Sequence, residues 1–155
     1  MANADGTEDA PWLDAEEMRA WRVLASVMGR LDAALDAQLR ADAGLSHFDY
    51  AVLSTLSDAP DRTLRMSELA FMAEGSLSRL SQVVSRLENN GWVHRSPDPA
   101  DGRYTLATLT ESGWAKVVAA APRHVGEVRR LVFDPLTRAQ VRQLAAIAAR
   151  IAAAL

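Results

Sequence analysis

Between Met66 and Trp114 the chain offers an unbroken order of signals: an apolar-spaced segment, a tight turn at Glu74-Gly75, a second such segment faced with Arg, Ser and Gln, Gly91, and two β-favouring runs around Pro97-Asp98-Pro99-Ala100-Asp101-Gly102-Arg103. Few architectures accept that order. Apolar residues at three- and four-residue steps predict two helices, and β-branched runs about a Pro/Asp/Gly turn predict a hairpin. Helix, turn, helix, hairpin is the order of a helix-turn-helix carrying a β-wing. The expected fold is mainly α with a small β-wing.

The flanks constrain the rest. Asp14-Ala15-Glu16-Glu17 forms a cap with a glutamate three residues on, and Leu13 with Met18 can staple it. Met18, Trp21, Leu24, Met28, Leu31, Leu35 and Leu39 then mark a helix of about thirty residues ending near Gly44, with Val23, Val27 and Ala34 as a second apolar stripe. Two stripes imply partners on both sides. Ser46-His47-Phe48-Asp49 caps a second helix with Phe48, Val52, Leu53 and Leu56 inward, ended by Asp58-Ala59-Pro60-Asp61. In the helix over Met66 to Ala73, Leu69, Ala70 and Met72 are expected inward. In the helix from Ser76 to about Asn90, the inward set is Leu77, Leu80, Val83, Val84 and Leu87. Trp92 to Ser96 and Arg103 to Leu109 are the predicted strands. Thr110 starts a further helix with Val118, Ala121, Val125, Val128 and Val132 at heptad-like steps and a kink expected at Pro122. Thr137-Arg138-Ala139-Gln140 caps a last, alanine-rich helix carrying Val141, Leu144, Ala148, Ile151 and Leu155, too few large residues to bury much alone.

This gives a tail over 1–13 expected to be disordered, an N-terminal dimerisation helix over 14–44, a winged helix-turn-helix over 45–110 and C-terminal dimerisation helices over 111–155, in one intertwined domain. A length of 155 residues with 49% hydrophobic content suits a single sizeable core. There is no cysteine, and His47, His94 and His124 lack metal-ligand spacing, so neither a thiol switch nor a metal or other cofactor is expected. Met1 to Pro11 lacks the basic flank and apolar run of a signal peptide, and no stretch is long and apolar enough to span a bilayer; a cytoplasmic location without membrane contact is expected. No Ser/His/Asp order, carboxylate pair in a predicted cleft, or phosphate-binding glycine loop recommends an enzyme.

The formal net charge of −3 argues against a polyanionic partner until its distribution is read. Residues 1–58 hold eleven acids against four arginines, a local net of −7; Arg62 to Arg95 hold five arginines against three acids, a local net of +2. Basic charge gathers at the second helix and hairpin, as arginine, whose planar fork suits phosphate and guanine edges.

Asp101-Gly102-Arg103, then Leu106-Ala107-Thr108-Leu109-Thr110 and Gly113, resembles the D-x-R…L-T-x-x-G stretch of the MarR family of transcriptional regulators. Glu68-Leu69-Ala70, Ser78-Arg79-Leu80 and Ser85 to Arg95 resemble that family's preceding blocks in the same order, so the likeness covers Leu45 to about Lys116. Two departures are Gly102, where the family often has a second basic residue, and Arg65, where a Ser/Thr helix cap is common. The resemblance implies a homodimer with interlocked terminal helices, bound to a palindromic operator on double-stranded DNA and often released by a small aromatic or phenolic effector.

With its apolar positions buried, the helix after Ser76 turns Ser76, Ser78, Arg79, Ser81, Gln82, Ser85 and Arg86 to solvent. Arginine suits guanine, glutamine suits adenine, and serine takes bases or phosphates. A polar helix face is by itself more often only solvated; the wing and the resemblance favour DNA. Bases are expected at Ser78, Arg79 and Gln82, phosphates at Ser76, Arg86 and Ser81. Arg103, braced by Asp101, is expected in the minor groove, against the alternative of an ordinary hairpin ion pair worth ~0 to 1 kcal/mol. Arg95 either holds a phosphate or simply flanks a strand. Trp21, His47, Tyr50 and Arg65 are the candidate effector residues, although Trp21 on an apolar stripe is more often core. The rival function is a winged-helix protein-interaction module without operator binding.

Overall fold

The computed structural model describes residues 11–155; of the expected tail, residues 1–10 lie outside the described residues, and 11–13 are exposed and non-helical. Six helices and three strands follow in the order α1 (Ala15–Ala43), α2 (His47–Asp58), β1 (Thr63–Arg65), α3 (Met66–Met72), α4 (Leu77–Asn89), β2 (Val93–Pro97), β3 (Thr105–Leu109), α5 (Glu111–Val128) and α6 (Arg138–Ala152).

The chain divides into two units, one ending at Ala33 and the other starting at Ala34. The first consists, where described, of the leading part of α1, opened by the Asp14 carboxylate accepting from the Glu16 and Glu17 amides at 2.7 and 2.8 Å. Its Trp21, Val23, Leu24, Val27 and Met28 are all exposed.

In the second unit, α2, α3, α4 and the sheet close around Leu45, Leu53, Leu56, Leu69, Leu80, Val84, Leu87, Val93 and Ala107. The caps are those expected. Ser46 and Asp49 exchange a reciprocal box at the start of α2, Ser76 accepts from the Arg79 amide, Thr110 from the Gly113 amide, and Thr137 and Gln140 box the start of α6. Gly91, at φ +72°, closes α4.

One expectation is corrected, and three features add to the rest. Met72 and Leu77, expected inward, are each 55% exposed, and Ala73 fills the buried position instead; α3 ends at Met72, so the periodicity read across its end no longer applies. The hairpin is part of a three-stranded antiparallel sheet in the order β1-β3-β2, with Leu64 opposite Ala107 and Arg95 on the other side of that residue. Pro122 sits inside α5 without ending it; the irregular turn comes at Arg129–Phe133, where the Asp134 amide reaches back to the Arg129 carbonyl at 2.8 Å. Finally, α5 buries Gly113, Val117, Ala120 and His124. The heptad-spaced Val118 and Val125 are exposed and face away from this chain's own core.

Candidate nucleic-acid interface

Helix α4 buries Leu80, Val83, Val84 and Leu87 and thereby turns Ser76, Ser78, Arg79, Ser81, Gln82 and Arg86 to solvent, as the sequence predicts. Its first turn is set against α2 by Gly75, where a Cβ would lie 2.5 Å from the Phe48 ring. Only a residue without that atom lets the turn pass. Two cations on the α2 side are held by α2 itself. The Arg79 guanidinium lies 4.1 Å above the Phe48 ring centroid, and Arg86 donates to the Asp49 carboxylate, whose other oxygen serves the Ser46 amide. Ser85 turns back, donating to the Ser81 carbonyl at 2.9 Å.

Between α4 and the wing lies an open cleft of about 420 Å³ lined by Arg65, Leu77, Ser81, Arg95, Arg103 and Tyr104 among others. Three guanidiniums converge there, each oriented by a carboxylate. Arg65 donates to Asp98 at 2.7 and 2.8 Å and lies 4.5 Å over the Tyr104 ring. Arg95 engages Glu88 through both its amide and its side chain, at 2.9 Å each. Arg103 grips Asp101 as a fork, Nε to Oδ1 at 2.9 Å and a terminal nitrogen to Oδ2 at 2.6 Å.

Asp98 is the hinge-pin of the wing. Its carboxylate is buried, accepts from the Ala100 amide at 2.8 Å as well as from Arg65, and its own amide donates to the Tyr104 carbonyl at 2.9 Å. Those bonds, first from Ala100 and then from Arg65, hold its carboxyl below the usual carboxylate range. Glu88 is lowered by the Arg95 amide and guanidinium, and Asp101 by Arg103. Each arginine of the cleft is thus held by a carboxylate whose charged form is favoured, and its remaining N–H donors are left to other acceptors.

The effector candidates divide. His47 and Tyr50, both half-buried, come together around His124, with ring centroids 5.7 and 4.6 Å from it. Arg65 stands in the wing cleft, and Trp21 lies half-exposed in the N-terminal unit. His124, which sequence reading passed over, is 8% exposed, and its Nδ1 lies 3.1 Å from the Gln38 side-chain oxygen. Its signal was its place seven and four residues after Val117 and Ala120 on the buried stripe of α5. The partners that hold the arginines, Phe48, Asp49, Glu88 and Asp98, also went unassigned, because each is long-range or sits on another element.

Among the described residues no group of three or more metal-ligating side chains occurs, and no helix is long and apolar enough to cross a membrane.

Comparison with known proteins agrees with this geometry. A family model described as MarR family matches residues 45–105. An uncharacterized HTH-type transcriptional regulator of Bacillus subtilis, YdcH, is 32% identical over 104 residues, 66% of this chain and 67% of its own length. Among solved structures, Sco3205, a MarR family transcriptional regulator from Streptomyces coelicolor in complex with DNA, superposes with a TM-score of 0.91 at 43% identity, covering 96% of this chain and 92% of its own. AbsC, another MarR family regulator from that organism, gives 0.87 at 36%, covering 92% and 96%.

Proposed function

The chain belongs to the MarR family of transcriptional regulators, and we propose that it works as a homodimer on a palindromic operator. The observation that carries this is one arginine-rich surface, formed by the outward face of α4 and the wing cleft, on which each guanidinium is held in place by a carboxylate or a ring of its own chain. Ser78, Arg79 and Gln82 read bases, Ser76, Ser81, Arg86 and Arg95 hold phosphates, and Arg103, braced by Asp101, enters the minor groove. Arg65 joins the phosphate contacts, since it shares their cleft. Two heads related by a twofold axis would occupy major grooves about one turn, roughly 10 base pairs, apart.

We further propose that a small aromatic or phenolic effector binds where His47, Tyr50 and His124 meet. It would favour a dimer geometry whose heads are wrongly spaced, and reciprocity then requires DNA to weaken the effector by the same factor.

The test is equilibrium binding of the full chain to a duplex it selects from a random pool. Arg79→Ala and Gln82→Ala should each cost about 1 to 3 kcal/mol and relax sequence preference at one position. Affinity should also fall steeply with salt as counterions are released. A double variant that bound the selected duplex as tightly as the parent would reject the assignment of α4, and failure to select any duplex would favour a protein partner.

A further inference from the structure

Leu77 breaks the pattern of α4. Leu80, Val83, Val84 and Leu87 are buried, whereas Leu77, in the first turn, is 55% exposed and lines the cleft with Ser81, Arg95, Arg103 and Tyr104. A large aliphatic side chain set among hydroxyls and guanidiniums has little to gain there from water. At about 100° per residue it lies some 40° from Ser81 and 100° from Ser78 around the axis, on the wing-side edge of the outward face. It also sits at the N-terminal end of the helix, the end that reaches base edges when such a helix docks.

The hydroxyls, amide and guanidinium of this face can exchange hydrogen bonds with any base edge, but none supplies an apolar contact. In the major groove only thymine presents a methyl group. We propose that Leu77 is a specificity-determining residue that packs against the 5-methyl of a thymine in each half-site. The inference rests on the operator reading above and adds to it a base that no hydrogen-bonding residue of α4 would distinguish in this way.

Deoxyuridine replaces thymine with loss of that methyl alone. The full-length protein would select a duplex from a random pool. Fluorescence anisotropy would then measure its affinity for that duplex and for versions with each thymine changed symmetrically to deoxyuridine. Removing one buried methyl from both half-sites should weaken parent binding about fifteenfold at one position, or about fourfold per half-site. Leu77→Ala should bind the thymine and uracil duplexes alike there, while Leu77→Met restores the preference. Because the residue is exposed, the urea midpoint of Leu77→Ala should match the parent. A variant that kept the parent's thymine-to-uracil ratio at every position would overturn the contact. So would one that weakened binding uniformly, making Leu77 a backbone contact. A parent protein that selected no duplex would overturn the operator reading itself, and the contact with it.

Discussion

Five arginines around the proposed reading surface are held by their own chain: Arg79 by the Phe48 ring, Arg86 by Asp49, Arg95 by Glu88, Arg65 by Asp98 and Arg103 by Asp101. A guanidinium has five N–H donors, so a carboxylate that takes two leaves three for an incoming phosphate. Holding the fork in advance lowers the side-chain entropy lost on binding. A different balance governs His124. Burial, and then the neighbouring His47, hold its pKa below the ordinary histidine value. Gln38, Tyr50 and His47 are the polar groups against it. The unfolded chain therefore takes up this proton first as pH falls through about 6.5, and the folded state resists it. Stability from this site is complete above that pH and is lost as pH drops toward the lower folded value. Urea midpoints between pH 7.5 and 5.5 should decline for the parent and decline less for His124→Gln, whose side chain never charges. The depressed carboxylates lose stability in the same direction but at lower pH, and they do so in both proteins, so the difference isolates His124. Identical slopes would remove the buried histidine from the account.

Local signals carried the elements well, because a cap is made by residues three apart: Ser46 with Asp49, Thr137 with Gln140, Thr110 with Gly113. Ends and edges carried less. Met72 and Leu77 sit where one helix stops and the next begins, at the ends of the apolar stripes, where no further turn of helix packs over them and both stand exposed. Strand β1 is three residues whose ladder partner is β3, more than forty residues on, tied by the Thr63 and Thr108 hydroxyls at 2.9 Å. No local pattern could mark it. The solvent-facing side of α4 was legible from its apolar complement, as was Asp101 two residues from Arg103, but Asp49, Glu88 and Asp98 were not, since each sits on a different element from the arginine it holds. The L-T-x-x-G stretch gains a physical meaning: Thr110 caps α5, and a Cβ on Gly113 would lie 2.1 Å from the Trp92 carbonyl oxygen. Gly113→Ala should therefore destabilise by about 2 kcal/mol despite its better helix propensity, because a backbone group cannot yield as a side chain does. Gly126, in the same helix, has nothing within 4 Å of that position. Gly126→Ala should be stabilising by up to about 1 kcal/mol. Urea titration of the two variants should show shifts of opposite sign, and a shared sign would show that packing at the start of α5 is looser than the geometry states.

At the scale of the molecule the unresolved balance is apolar surface. No residue of α6 is buried, and Leu144, Ile147 and Ile151 stand exposed at three- and four-residue steps; Val118 and Val125 on α5, seven residues apart, and Val23, Val27 and Met28 on α1 are exposed as well. Each aliphatic side chain of this size gains about 1.5 to 3 kcal/mol when fully buried, so the proposed second copy of the chain would gain most by covering α6, whose alanines allow close approach. Under the proposed dimer the thermal midpoint should rise with protein concentration, because association stabilises the folded state by mass action. Ile147→Glu combined with Ile151→Glu places two charges in that seam and should yield a monomer by sedimentation. A monomer presents one head to one half-site. Its affinity for the full operator should then fall by about 10² to 10⁴, the avidity that linkage supplies, while its affinity for an isolated half-site stays near the parent's. If the double variant still sedimented as a dimer, the seam would lie elsewhere, on α1 or α5. If it became monomeric yet kept full operator affinity, one head would be enough, and the palindrome would play no part in recognition.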